Sequence, residues 1–163
     1  MKTTVEARRE EWRRLWREEG VLPAITVRQP WASLLARGIK TIETRTHDRF
    51  KVLDGLRIAI HAGKRWDAAF FDVLEGDLGD RLSAVRVASF HVGPKATVLA
   101  TARVAEARRL TSADTNGALC AAGGLFGLVL ADVVRLPAPV PARGAQGVWK
   151  WTVPESLVGE LDL

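Results

Sequence analysis

The chain has 163 residues, of which 47% are hydrophobic and 26% charged. That is one ordinary globular domain, long enough to bury a core, and no apolar run approaches the roughly 20 residues of a membrane span. Net charge is +5 and the pI is near 10.0, which turns attention to anionic partners.

The totals also bound the chemistry. The single cysteine, Cys120, leaves no internal disulfide and fits a reducing cytosol, so a cytoplasmic location is expected. The N-terminus mixes Arg with Glu and has no apolar h-region, so a secretory signal is not expected there. His47, His61 and His91 sit at no metal-ligand spacing, so neither a metal nor another cofactor is expected. Residues 21–66 carry nine basic and three acidic side chains, and residues 92–153 seven and three, whereas residues 67–91 are acidic. A clustered positive excess favours a polyanion such as RNA.

Residues 3–19 predict an amphipathic helix. Thr3 and Glu6 have capping-box spacing, and Val5, Trp12, Leu15 and Trp16 form an apolar stripe. Gly20 suits the left-handed stop. Glu6–Arg9, Glu10–Arg14 and Arg14–Glu18 are spaced as helical ion pairs. The Trp stripe is expected to pack on the rest of the fold, with a dimer contact as the alternative; a monomer or weak homodimer follows.

In residues 25–28, Ile25 and Val27 alternate with Thr26 and Arg28, as in a half-buried strand. Pro30 then fits a helix's first turn, where its missing N–H costs little. Trp31, Leu34 and Leu35 recur at helical spacing, and Gly38 suits the helix stop. The N-terminus of this helix is expected to favour an anion. After Gly38 the period becomes two: Ile39, Thr41, Glu43 and Arg45 point one way, and Lys40, Ile42, Thr44 and Thr46 the other. Lys40, Glu43 and Arg45 are three charges in an otherwise apolar stretch.

Residues 46–55 read as a polar loop with the turn pair Asp54-Gly55. Leu56 to Ala62 reads as a strand ending beside Gly63-Lys64-Arg65. The Gly-Lys pair is not a phosphate loop, because Ile58 stands where that motif needs glycine. Trp66, Ala69, Phe70, Val73 and Leu74 make a helical stripe. Leu82, Val85 and Phe90 make a weaker one, broken by Gly76 and Gly79, so residues 66–90 are expected to be a helical insertion. Ala96 to Arg109 is a long alternating strand, and Thr111 to Ala118 a loop. Leu125 to Leu136 is apolar on both faces, as a buried strand is. Pro137, Pro139 and Pro141 predict an extended crossing. Val148 to Val153 predicts a last strand, with Trp149 and Trp151 on one face.

Gly38-x-Lys40-x-x-Glu43-x-Arg45, preceded by Val27-Arg28-Gln29-Pro30-Trp31-Ala32, resembles the ASCH domain family. The stretch Leu136 to Trp149, with Arg143-Gly144, is similar to the last loop and strand of bacterial members. The resemblance implies an α+β fold: a small mixed PUA-like β-barrel of about five or six strands with two or three flanking helices. The chain then divides into an N-terminal helix (1–20), the ASCH domain (21–153) and a tail (154–163).

The resemblance further implies a cleft between the first helix and the strand carrying Lys40, used for RNA or nucleotides. Lys40 and Glu43 are the catalytic candidates. Arg28, Gln29, Trp31, Arg45, His61 and Arg143 are the binding candidates. Their chemistry fits: Arg45 and Arg143 can clamp phosphate, Gln29 can read a base edge, and Trp31 can stack on a base if exposed. His61 also reads as a satisfied structural histidine. Three functional classes stay open. The first is a binder of RNA or single-stranded nucleic acid. The second is a hydrolase on a modified nucleoside, since some members resemble N4-acetylcytidine amidohydrolases built on a Lys and a Thr; the Lys matches Lys40, but Glu43 replaces the Thr. A ribonuclease using Lys40 belongs to the same class. The third is a protein-interaction or regulatory domain, as ASCH domains of transcriptional coactivators suggest.

Overall fold

The protein is described by a computed structural model over residues 1–76 and 93–161. Helix α1 (Thr4–Glu19) forms as its sequence predicts. The Thr3 hydroxyl accepts from Glu6 N–H, the Glu6 carboxylate accepts from Thr3 N–H, and Gly20 adopts a left-handed φ of 66°. The ion pairs differ in part from the predicted set. Arg14 meets Glu18 at 2.8 Å, but Glu10 pairs with Arg13 and Arg17, and Glu6 is used by the cap. Arg9 instead donates to the Val52 and Lys51 carbonyls, pinning the helix to the body of the fold.

The strands are β1 (Val21–Gln29), β2 (Ile42–Arg45), β3 (Arg57–Trp66), β4 (Thr97–Arg109), β5 (Phe126–Pro141) and β6 (Trp149–Thr152). They form one mixed sheet in the order β2-β5-β4-β3-β1-β6. β1 and β3 run parallel and the other neighbours antiparallel. This is the expected α+β, PUA-like architecture, with the barrel left open between β2 and β6.

Alternation along β3 explains why its sequence is apolar on both faces. Ile58, Ile60 and Ala62 enter the main core with Ile25, Val27, Leu35, Phe50, Val104 and Leu128. Ala59 enters a second cluster with Leu22, Ala24, Val98, Trp151 and Val153 on the opposite side.

Three connections are more ordered than predicted. Residues 46–55 contain a 3-10 turn, Arg49–Leu53, because Phe50, Val52 and Leu53 are buried. Thr111 to Ala118 contains a 3-10 turn, Ser112–Asp114, and a short helix, Thr115–Ala118. The proline run is not a separate crossing but the end of β5: Val140 and Pro141 keep register with Val98 and Thr97, across a register shift in the ladder. Helix α2 (Trp31–Ala36) follows a cis Gln29–Pro30 bond, and helix α3 (Ala69–Glu75) carries Phe70. The weaker stripe of Leu82, Val85 and Phe90 lies outside the described residues, as does Gly79. No helix among the described residues is long and apolar enough to cross a membrane.

Candidate functional site

Lys40 is placed by the turn after α2. Gly38 takes a left-handed φ of 71°, and the N–H groups of Ile39 and Lys40 both donate to the Leu34 carbonyl. β2 begins only at Ile42, so the predicted alternation does not reach back to Lys40. Lys40 and Glu43, assigned to opposite faces by period, are both buried, at 3% and 7% exposure, as is Ile42 between them.

The Lys40 ammonium donates to the Ala118 carbonyl and lies 5.2 Å from the centre of the Trp31 ring. Burial pushes its pKa down; Glu43 and Cys120 oppose that shift, and Arg45 adds to it. The Glu43 carboxylate meets Arg45 Nε at 3.4 Å. Arg45 lies over the Phe50 ring at 4.7 Å and donates from Nη2 to the Thr26 carbonyl at 3.2 Å. A chain of groups thus runs Trp31, Lys40, Glu43, Arg45, Thr26.

Gly117 is a member of this site that sequence reasoning missed. A Cβ there would come within 2.9 Å of both Ile42 Cδ1 and Thr41 Oγ1. Glycine lets the 115–118 helix lie against β2, with the Gly117 carbonyl accepting from Thr41 N–H and the next carbonyl reaching Lys40. The only signal was an Asn-Gly pair in a stretch read as a loop.

Gln29 and Trp31 stand on either side of Pro30. Gln29 is fully buried. Its Oε1 accepts from Ser33 N–H and its Nε2 donates to the Pro94 carbonyl, so both ends of the amide are engaged within the protein. That bond also takes one donor from the six-residue α2, whose N-terminus had been expected to face an anion. Trp31 is half-buried. Its indole N–H donates to Asp67 at 2.9 Å, and its ring meets Phe70 edge-on at 5.4 Å.

His61 is buried at 2% exposure. Nε2 lies 2.8 Å from the Ala142 carbonyl, which can only accept, so Nε2 carries hydrogen. In the neutral ring Nδ1 then accepts from the Thr26 hydroxyl at 3.2 Å, and that hydroxyl accepts from Trp149 Nε1 at 3.1 Å. Trp149 also packs edge-on against the imidazole. Burial pushes the His61 pKa down, against the pull of the Ala142 carbonyl. Gly144 closes over this group; a Cβ there would lie 2.5 Å from His61 Cε1 and 2.7 Å from Thr26 Oγ1.

An outer set of cations stands at one end of the sheet. Val27 pairs with Ala62 and Gln29 with Trp66, which puts Arg28 beside residues 63–65. Ala62 pairs with Thr97, and Thr97 with Pro141. Arg28, Lys64, Arg65, Lys95 and Arg143 therefore lie at the same end of β1, β3, β4 and β5. All five are exposed and form no ion pair among the described residues. Lys64, Arg65 and Lys95 were not among the predicted site residues, because their clustering depends on strand register.

The structure thus groups Lys40, Glu43, Arg45 and Trp31, with Lys40 and Glu43 linked through space rather than by a bond, and brings His61 to the same segment of β1 through Thr26. Arg28 and Arg143 belong to the exposed rim, and Gln29 lies beneath α2. A comparison with curated proteins found no match. The model of the ASCH domain family matches residues 25–127, more than half of the chain and all of the Lys40–Glu43–Arg45 segment. On that match and on this fold, the chain belongs to the ASCH domain family.

Proposed function

We propose that this protein binds RNA or a nucleotide, with the ligand held over the Lys40–Glu43–Arg45 segment and its phosphates along the rim of Arg28, Lys64, Arg65, Lys95 and Arg143. The observation that carries this reading is the rim itself. Five exposed cations without a counter-ion among the described residues leave a positive field that an anionic backbone neutralises, releasing its own condensed counter-ions. Arg45 adds a half-buried guanidinium already fixed in place, so little freedom is lost when it meets a phosphate. The ASCH resemblance points to the same ligand class.

The test is the salt dependence of binding to a short single-stranded RNA. Lys64→Ala and Arg143→Ala are each expected to flatten the log–log salt slope by about 0.7. An affinity and slope unchanged in the double variant would remove the rim from the reading.

A hydrolytic reading has one observation in its favour. Burial lowers the proton affinity of Lys40, which is what a base or nucleophile at neutral pH requires. Against it, the amine is covered and bonded to the Ala118 carbonyl, and Glu43 stands where the resembling amidohydrolases have Thr. These contacts favour electrostatic stabilisation of a bound anion over proton transfer. Incubation with N4-acetylcytidine separates the two: release of cytidine by the wild type but not by Lys40→Ala would establish turnover, and no release by either would leave binding alone.

A further inference from the structure

The N-terminal helix lies outside the ASCH match and packs on the body of the fold as its apolar stripe predicts: Leu15 is buried, Trp12 rests against the main core and Trp16 against the second cluster. A cleft of about 190 Å³ remains beside them, lined by Trp12 and Trp16, one helical turn apart, by Leu22 and Pro23 of β1, and by the Gly55–Arg57 segment. Both indoles are only half-buried. The lining includes three arginines, Arg13, Arg17 and Arg57, and no acidic residue among the described residues. Arg28 and residues 63–65 stand at the far ends of the same two parallel strands, so this cleft and the cationic rim are separate places.

The charges here are incompletely answered. Arg13 and Arg17 share a single carboxylate, that of Glu10, at 3.4 and 3.3 Å. Arg57 has no carboxylate partner within salt-bridge distance among the described residues. Its Nη1 donates to the Thr101 hydroxyl and the Asp132 carbonyl oxygen, both at 3.0 Å, while the Asp132 carboxylate bonds Arg103 and reaches Arg57 only through space. A half-buried guanidinium bonded only to neutral oxygens favours an added anion.

We propose that the cleft between α1 and the β1–β3 end is a second ligand site, which takes the base of a nucleoside monophosphate against Trp12 and Trp16 and its phosphate on Arg13, Arg17 and Arg57. The size fits one ring system: pockets for whole drug-sized ligands start at about 300 Å³, so the sugar and phosphate extend outward toward the exposed Arg13 and Arg17. The indole faces accept any base, so selectivity among bases is low. In binding, the phosphate replaces Glu10 as the partner of Arg13 and Arg17. A free nucleotide and the 5′-phosphorylated end of an RNA share this chemistry.

The test reads the indole N–H resonances of the full chain by NMR, with Trp12 and Trp16 identified through Trp12→Phe and Trp16→Phe. Adenosine monophosphate is expected to shift these two signals saturably. Adenosine without phosphate, and the charge-reversed Arg17→Glu variant, are each expected to weaken the effect by about tenfold or more. A short 5′-phosphorylated RNA that shifts the same two signals, where its 5′-hydroxyl form does not, identifies the RNA end as a source. Because each indole reports its own surroundings, loss of RNA binding at the rim leaves this readout intact. No shift of Trp12 or Trp16 up to about 10 mM nucleotide, well beyond ordinary ligand affinities, or equal binding of adenosine, would overturn the proposal.

Discussion

Arg45 Nη2 donates to the Thr26 carbonyl at 3.2 Å, and this bond joins β2, at one edge of the sheet, to β1, which lies next to the other edge. Pairing of β6 with β1 ends at Ala24, so beyond that point the edge of β1 away from β3 is met by a side chain rather than by a strand. The same guanidinium faces Glu43. One residue thus holds the gap in the barrel and the counter-charge of a buried carboxylate.

Arg45→Ala is therefore expected to destabilise the fold by about 2 kcal/mol, below the usual cost of breaking a fully buried pair because Arg45 is partly exposed. Most of that loss comes from leaving Glu43 buried without its partner. The double variant Arg45→Ala/Glu43→Gln is expected to recover part of it. Urea midpoints of the three proteins decide; a single variant as stable as the wild type would show that the pair contributes nothing.

Lys40 carries a pH dependence whose sign follows from burial. Its folded pKa lies below the unfolded value of about 10.4, so in the window between them the unfolded chain holds the extra proton. Stability contributed by Lys40 is complete only above that window and is lost as pH falls through it. The wild type is expected to gain on Lys40→Met as pH rises from about 7 toward 10. A stability difference that stays flat over this range would mean that the amine is not desolvated.

His61 acts in the same direction at lower pH. Burial holds its pKa below the unfolded value of about 6.5, and the neutral ring satisfies Thr26 and Ala142 together. The contribution is complete above about pH 6.5 and falls as pH drops toward the folded value. Wild type is expected to lose stability between about pH 7 and pH 5 relative to His61→Gln. Parallel curves for the two proteins would remove the imidazole as the cause.

Gly144→Ala tests the closure over His61. The added methyl would press on His61 and Thr26, and a cost of about 1–3 kcal/mol is expected for such overpacking. Trp149 shares the Thr26 hydroxyl, so its fluorescence should change in the folded variant. An unperturbed emission spectrum with full stability would mean that the loop yields freely.

The sequence carried the frame of this fold because its signals were local. The Thr3–Glu6 cap, the left-handed Gly20 and Gly38, and the alternation of β3 each depend on residues within one turn or one strand. The site was only half legible. Lys40, Glu43 and Arg45 stood out as charges in an apolar stretch, but the burial of Lys40 and Glu43 depends on packing from elements distant in sequence. The partner of Lys40 is a backbone carbonyl 78 residues away, and carbonyls leave no mark in a sequence. Gln29 looked like a reader of bases because its amide is versatile; the fold uses both ends of it for Ser33 and Pro94. The rim escaped notice because Lys64, Arg65 and Lys95 meet Arg28 and Arg143 only through the pairing of four strands.

The unclosed sheet has a consequence for association. Both edge strands, β2 and β6, are four residues long, and a strand added from another chain would gain few hydrogen bonds at either. β2 carries Glu43 and Arg45, and β6 exposes Lys150; such charges are poor templates for continued pairing. An open barrel of this kind keeps its gap without inviting edge-to-edge aggregation.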